Sequence, residues 1–212
     1  MARTRLDAMA VHEHSGRRTW KDAAILAAAL AFFLFVIAYC VVTDYDYYIT
    51  DSVAFILLTL FLYVFYRRLH LDSFTFFVLV IAFVLHDLGA FRFYASPPVP
   101  FDWDVVTHVF GIFAVTVFLY NLMLSLTEKH HALLFFIVIL AGLGVGVLIE
   151  FVEFVGFLTT GFGEGFLGRG FGDYDPMIVS SDYIDTIQDM LWNLVGAVIG
   201  FVAAYAKEKT FK

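Results

Sequence analysis

The chain has 212 residues, of which 61% are hydrophobic and 16% charged, and its mean hydropathy is +0.84. An ordinary soluble domain carries about 25% charged residues, so this composition cannot cover a water-facing surface and its natural solvent is a bilayer. The formal charge of −7 and pI near 5.4 leave no cationic excess for nucleic-acid phosphates. The single cysteine, Cys40, excludes an intrachain disulfide and any multi-cysteine metal site.

A bilayer-spanning helix needs about 20 mostly apolar residues. Six stretches meet that need, at about 22–42, 52–66, 73–88, 105–125, 133–158 and 183–206. Their apolar runs are continuous and lack period-two alternation, which predicts helices rather than barrel strands. The expected fold is an all-α, six-helix transmembrane bundle. The first span is too long for a cleaved signal peptide, and no small-residue cleavage pattern follows it. Cys40 follows the bulky Tyr39 and reads as a free, buried thiol.

Basic residues set the orientation. With the N-terminus in the cytoplasm, the inner segments hold Arg3, Arg5, Arg17, Arg18, Lys21, Arg67, Arg68, Lys129, Lys207, Lys209 and Lys212, and the outer segments hold only Arg92 and Arg169. This split predicts a multi-pass cell-membrane protein with both termini cytoplasmic. It divides the chain into a cytoplasmic segment 1–21, a bundle 22–206 and a tail 207–212. Of the outer loops, 43–51 is acidic and Tyr-rich, 89–104 carries Pro97, Pro98 and Pro100, and 159–182 mixes Gly with Phe. The last of these suits either interfacial anchoring or the capping of a cavity.

Ionisable residues inside a membrane are costly and tend to mark function. Here they are His86 and Asp87 on the third span, Asp104 and His108 on the fourth, Glu150 and Glu153 on the fifth, and Asp185 and Asp189 on the sixth, with Asn193 one turn deeper. All fall in the expected outer half of their helices. At about 100° per residue, Asp185, Asp189, Asn193, Gly196 and Gly200 share one arc of about 80°. By the same rule Gly142, Gly146, Glu150 and Glu153 share another. Gly142/Gly146 and Gly196/Gly200 are Gly-x-x-x-Gly pairs, which predicts close packing of these two faces on each other. Asp87 points away from His86 and reads as a helix-end or water-facing group. Trp20, Trp103 and Trp192 lie near span ends, in keeping with interfacial anchoring.

Four acids on touching faces need compensation: protons, imidazolium partners or a metal ion. Imidazole with carboxylate suits zinc, manganese or iron, and the spacings place two ligands on one helix face, as in helical-bundle metal sites. The expected ligand set is His86, Asp104, His108, Glu150, Glu153, Asp185 and Asp189, with Glu153 or Asp189 as general base. The reading that follows is an outward-facing divalent-metal site, serving a hydrolase or transferase that acts on a lipid or envelope substrate. Two alternatives stay open. One is a cation or proton transporter, although few polar residues lie beneath Glu150 and Asn193. The other is a non-catalytic membrane interaction protein whose polar cluster is interhelical glue.

Several motifs carry a family resemblance. His86-x-x-Gly89-Ala90, Trp103-Asp104-x-x-x-His108, Glu150-x-x-Glu153-Phe154 and Asp185-Thr186-x-x-Asp189-Met190 resemble the YjdF-like family of bacterial and archaeal inner-membrane proteins. The last motif, followed by Asn193-Leu194-Val195-Gly196-Ala197, is the most specific, and the ending is more loosely similar to VanZ-like membrane proteins. The resemblance spans about residues 80–201. It implies a fold and a shared outer-leaflet polar site, and it implies no reaction.

Overall fold

The computed structural model describes residues 18–126, 130–160, 177 and 181–210. The Gly/Phe-rich stretch of the 159–182 loop, Lys129, Arg169 and most of the N-terminal segment lie outside the described residues. The longer elements are α1 (Trp20–Thr43), α2 (Ile49–Val64), α3 (Ser73–Asp87), α4 (Trp103–Leu126), α5 (His131–Thr160) and α6 (Ser181–Thr210). Short 3-10 turns at Asp46–Tyr48 and Leu88–Phe91 extend α2 and α3. All six helices, with these extensions, are long and apolar enough to cross a membrane, and no described residue lies in a strand.

Two helix ends differ from expectation, and both differences bring acids inward. α2 starts at Ile49, so Asp51 sits in its first turn at 1% exposure rather than in a loop. α3 runs without a break into the 3-10 turn, so Asp87 does not reach water. It is the last residue of α3, in line with its reading as a helix-end group, but it is fully buried and accepts a 2.5 Å hydrogen bond from Ser52 Oγ, which corrects the water-facing alternative. Trp103 is buried too, with Nε1 donating to the Leu85 carbonyl at 3.0 Å. It ties the start of α4 to the end of α3 instead of standing at an interface, whereas Trp20 is 77% exposed. Cys40 is buried and free, as its sequence neighbours suggest.

α4 is the central helix and packs on α3, α5 and most extensively on α6, while α1 packs on α2 and α3. Small residues explain the α4–α6 contact. A Cβ on Gly196 would lie 2.3 Å from the Val109 carbonyl oxygen, and one on Gly200 would lie 2.7 Å from that of Phe113. The Gly196/Gly200 face therefore meets the α4 backbone, not the glycine face of α5 expected from the pattern. Gly146 instead makes room for the Asn193 side chain of α6, and Gly142 abuts Thr116 and Ala197. In lipid, where apolar burial adds little drive to helix association, such close approach supplies the packing.

The end of the bundle that carries both helix termini of the span set is fastened by side chains. Asp72 caps α3, accepting from Thr75 N–H at 2.9 Å, and pairs with Lys207 of α6. Asn121 of α4 donates to Thr75 Oγ1 at 2.6 Å, and Tyr120 O–H donates to Glu208 at 2.6 Å. Asp22 forms a capping box with Thr19 and accepts from Tyr66 O–H at 3.2 Å. Arg18, Lys21, Arg67, Arg68, Lys207 and Lys209 belong to this end. Among the described residues Arg92 is the one Lys or Arg at the opposite end, its guanidinium 4.4 Å from the centre of the Tyr45 ring.

The packing account makes a contrast measurable. Gly196→Ala pushes a methyl into an α4 carbonyl and is expected to cost at least the usual overpacking penalty of about 1–3 kcal/mol. A Cβ at Gly111 meets nothing within 4 Å, so Gly111→Ala should leave the unfolding midpoint in detergent unchanged or higher. Equal midpoints for the two variants would contradict this packing.

Candidate functional site

Opposite the Lys207 end, side chains from five helices meet around a cavity of about 240 Å³. Its polar portion is lined by Tyr48, His86, Tyr94, Asp104, Thr107, His108, Glu153, Asp185, Asp189 and Asn193. Helix periodicity explains the convergence on α4: Asp104, His108 and Ile112 repeat every four residues and so stay on one face. Asp185, Asp189 and Asn193 do the same on α6.

Two groups of potential ligands form. In the first, Asp104, His108 and Asp189 each offer an atom within 4.8 Å of the others. His108 Nε2 lies 3.4 Å from Asp104 Oδ1 and 3.8 Å from Asp189 Oδ1. Its other ring nitrogen, Nδ1, lies 3.1 Å from Asn193 Oδ1. That amide oxygen accepts from Nδ1–H, which leaves Nε2 turned toward the two carboxylates. The Asp104 and Asp189 carboxyl groups also contact each other, an approach that two ionised groups cannot keep without a proton or a cation between them. His108, Asp189 and Asn193 are all buried.

This donor set fits a small divalent cation. Ligands about 2.1 Å from a tetrahedral ion stand about 3.4 Å from each other, and cis ligands of an octahedral ion about 3.0 Å. The observed separations are close to these values. A histidine whose far nitrogen is held by an acceptor is the usual outer-shell arrangement around such ions.

In the second group, Asp51, His86 and Asp87 come together. His86 Nε2 lies 3.0 Å from Asp51 Oδ2, and His86 Nδ1 lies 3.3 Å from Tyr94 O–H. Tyr94 O–H donates to Thr107 Oγ1 at 3.4 Å, and Thr107 O–H donates to the Asp104 carbonyl at 2.8 Å. A hydrogen-bonded chain thus crosses the cavity from α2 and α3 to α4. Desolvation, reinforced by the Asp104 carboxylate, pushes the Tyr94 phenol well above its ordinary pKa, so it stays protonated.

The structure therefore divides the residues singled out in the sequence. Asp104, His108 and Asp189 converge, and Glu153 and Asp185 line the same cavity. His86 also lines it but pairs with Asp51. Glu150 stands outside the lining: it hydrogen-bonds Thr186 and leaves Oε1 buried without a partner. Asp51 and Tyr94 were not singled out in the sequence. Asp51, Phe55, Thr59 and Leu62 recur at helical spacing and all four are buried, a pattern that includes Asp51 only once the helix is seen to start at Ile49.

Residues 23–210 match the family described as "Predicted membrane protein (DUF2238)". The chain belongs to that family. DUF2238 is the family that the YjdF-like resemblance names, and the looser likeness to VanZ-like proteins finds no support in the match. No curated protein and no solved structure matches the chain. The match reaches all six spans of this DUF2238 member, including the α1 and α2 region, from residue 23 onward, that lay outside the resemblance.

The Asp51–His86 contact in this DUF2238 chain is testable by a double-mutant cycle on unfolding. Contacting partners couple by about 0.5–3 kcal/mol, so Asp51→Asn and His86→Ala should be non-additive by that amount. Asp51→Asn combined with Asp185→Asn, on the far side of the cavity, should be additive. Additivity in the first cycle would remove the pairing.

Proposed function

We propose that the chain holds a divalent cation, such as zinc, manganese or iron, at Asp104, His108 and Asp189, and serves as a metal-dependent hydrolase or transferase on a membrane or envelope substrate. The observation that carries this reading is the geometry at His108. Nδ1 is engaged by Asn193, and Nε2 and two mutually contacting carboxylates face one point. With the basic end cytoplasmic, as the positive-inside rule predicts, the site faces outward.

A bound divalent cation supplies Lewis acidity, polarising an ester or phosphoryl oxygen and easing deprotonation of water. The chain's own residues supply the rest. Asn193 holds the His108 ring orientation, and Gly146 leaves the space that Asn193 occupies. Glu153 and Asp185, which line the cavity without belonging to the three-residue group, are the candidates to accept a proton. Tyr94, kept protonated, donates a hydrogen bond within the cavity, and its connection through His86 to Asp51 gives a proton a route to a buried carboxylate.

Transport is the weaker reading. Between the cavity and the Asp72–Asn121–Lys207 network, α4 buries Ala114 and Val117, and the buried polar side chains beside them are the hydroxyls of Thr116 and, on α2, Thr59. This layer holds no ionisable group, which favours chemistry or binding at one end over passage through the bundle.

Elemental analysis of protein purified without chelator and exposed to zinc, manganese or iron tests the proposal. One ion per chain is expected, lost in His108→Ala and Asp189→Asn and kept in Glu150→Gln, with a higher unfolding temperature on metal addition for the parent alone. A metal-free protein whose stability is unmoved by all three ions would overturn it.

A further inference from the structure

The cavity does not end at the polar groups. Phe55 and Leu58 of α2, Ala82 of α3, Gly111 and Val115 of α4 and Ile149 of α5 line its other portion, with no ionisable side chain among them. At 1.5 Å per residue, Leu58 lies about 10 Å along α2 from Asp51, and Gly111 about 10 Å along α4 from Asp104. This apolar portion therefore sits at acyl-chain depth.

Two further observations bear on what fills it. A side chain on Gly111 would meet no atom within 4 Å, so the α4 backbone borders open space there. Leu58 lines the cavity and is also 44% exposed. α2 packs on α1 and α3, whereas α5 packs on α4 and α6, and α2 and α5 share no comparable contact. The cavity thus has a side toward the gap between α2 and α5, and its apolar portion offers ordered water no ionisable partner.

Resting on the cation site proposed above, we propose that this space takes the hydrocarbon chain of a membrane amphiphile. The chain enters sideways past Leu58 and lies along Gly111, with the molecule's polar head at the Asp104–His108–Asp189 end. The substrate class is then a lipid with a reactive bond beside its headgroup rather than a water-soluble molecule. The lining is complementary to such a molecule at both ends: hydrogen-bonding and charged groups at the head, aliphatic and aromatic groups along the tail. Glycine at 111 is what keeps the tail portion open, since any larger residue would project into it.

Photo-crosslinking of the intact protein in nanodiscs tests this. Two arms use a phospholipid with a diazirine near the end of one acyl chain and an isoprenyl phosphate with a diazirine in its chain, which distinguishes the two sources of hydrocarbon. Adducts on Ala82, Gly111 or Val115 with either probe, lost in Gly111→Leu and in Val115→Trp while metal content stays at the parent level, are expected. Adducts confined to the lipid-facing Leu148, Phe151 and Phe154, or cavity adducts unchanged in both variants, would overturn the proposal. Cavity adducts in a protein that holds no metal would uphold the chain-binding space and remove only the cation reading.

Discussion

Charge buried in hydrocarbon has to be compensated where it sits. Around the cavity and the adjoining Asp51–His86–Asp87 cluster the described residues supply six acids, Asp51, Asp87, Asp104, Glu153, Asp185 and Asp189, two imidazoles and no Lys or Arg side chain. At the other end the same requirement is met within the protein, because Lys207 reaches Asp72 and hydroxyl donors reach Asp22 and Glu208. The contrast is the main physical feature of the molecule. One end is closed by complementary partners, and the other leaves carboxylates facing a cavity.

The helices are arranged so that this imbalance is concentrated rather than dispersed. Gly196 and Gly200 let α6 lie directly on the α4 backbone, which brings Asp189 beside Asp104 and His108. Gly146 gives Asn193 room to reach His108. The start of α2 at Ile49 and the run of α3 to Asp87 then carry Asp51 and Asp87 inward and place His86 opposite the first group. Tyr94 joins the two groups across the cavity. Packing by small residues and the polar site are consequences of the same helix faces.

Much of this was readable from the chain. The six spans follow from continuous apolar runs, and Asp104, His108 and Asp189 follow from four-residue spacing at one expected depth. Three features were not readable for physical reasons. The glycine stripes show which faces admit a close neighbour, but they do not say which helix that neighbour is. Asp51 falls in an acidic, Tyr-rich run that resembles a loop until the helix is seen to start at Ile49. Tyr94 lies between spans, where no periodicity fixes the direction of a side chain. Glu150 shows the reverse: it shares an arc with Glu153, yet the roughly 60° between them on the helix sets Glu150 against Thr186 and outside the cavity.

The central claim is that the three side chains at His108 share a cation. Anomalous diffraction from crystals grown with zinc or manganese tests it most directly. The account predicts a peak about 2.0–2.2 Å from His108 Nε2 and from one oxygen each of Asp104 and Asp189. Side chains pointing to separate surroundings, or a peak held only by surface groups, would contradict it.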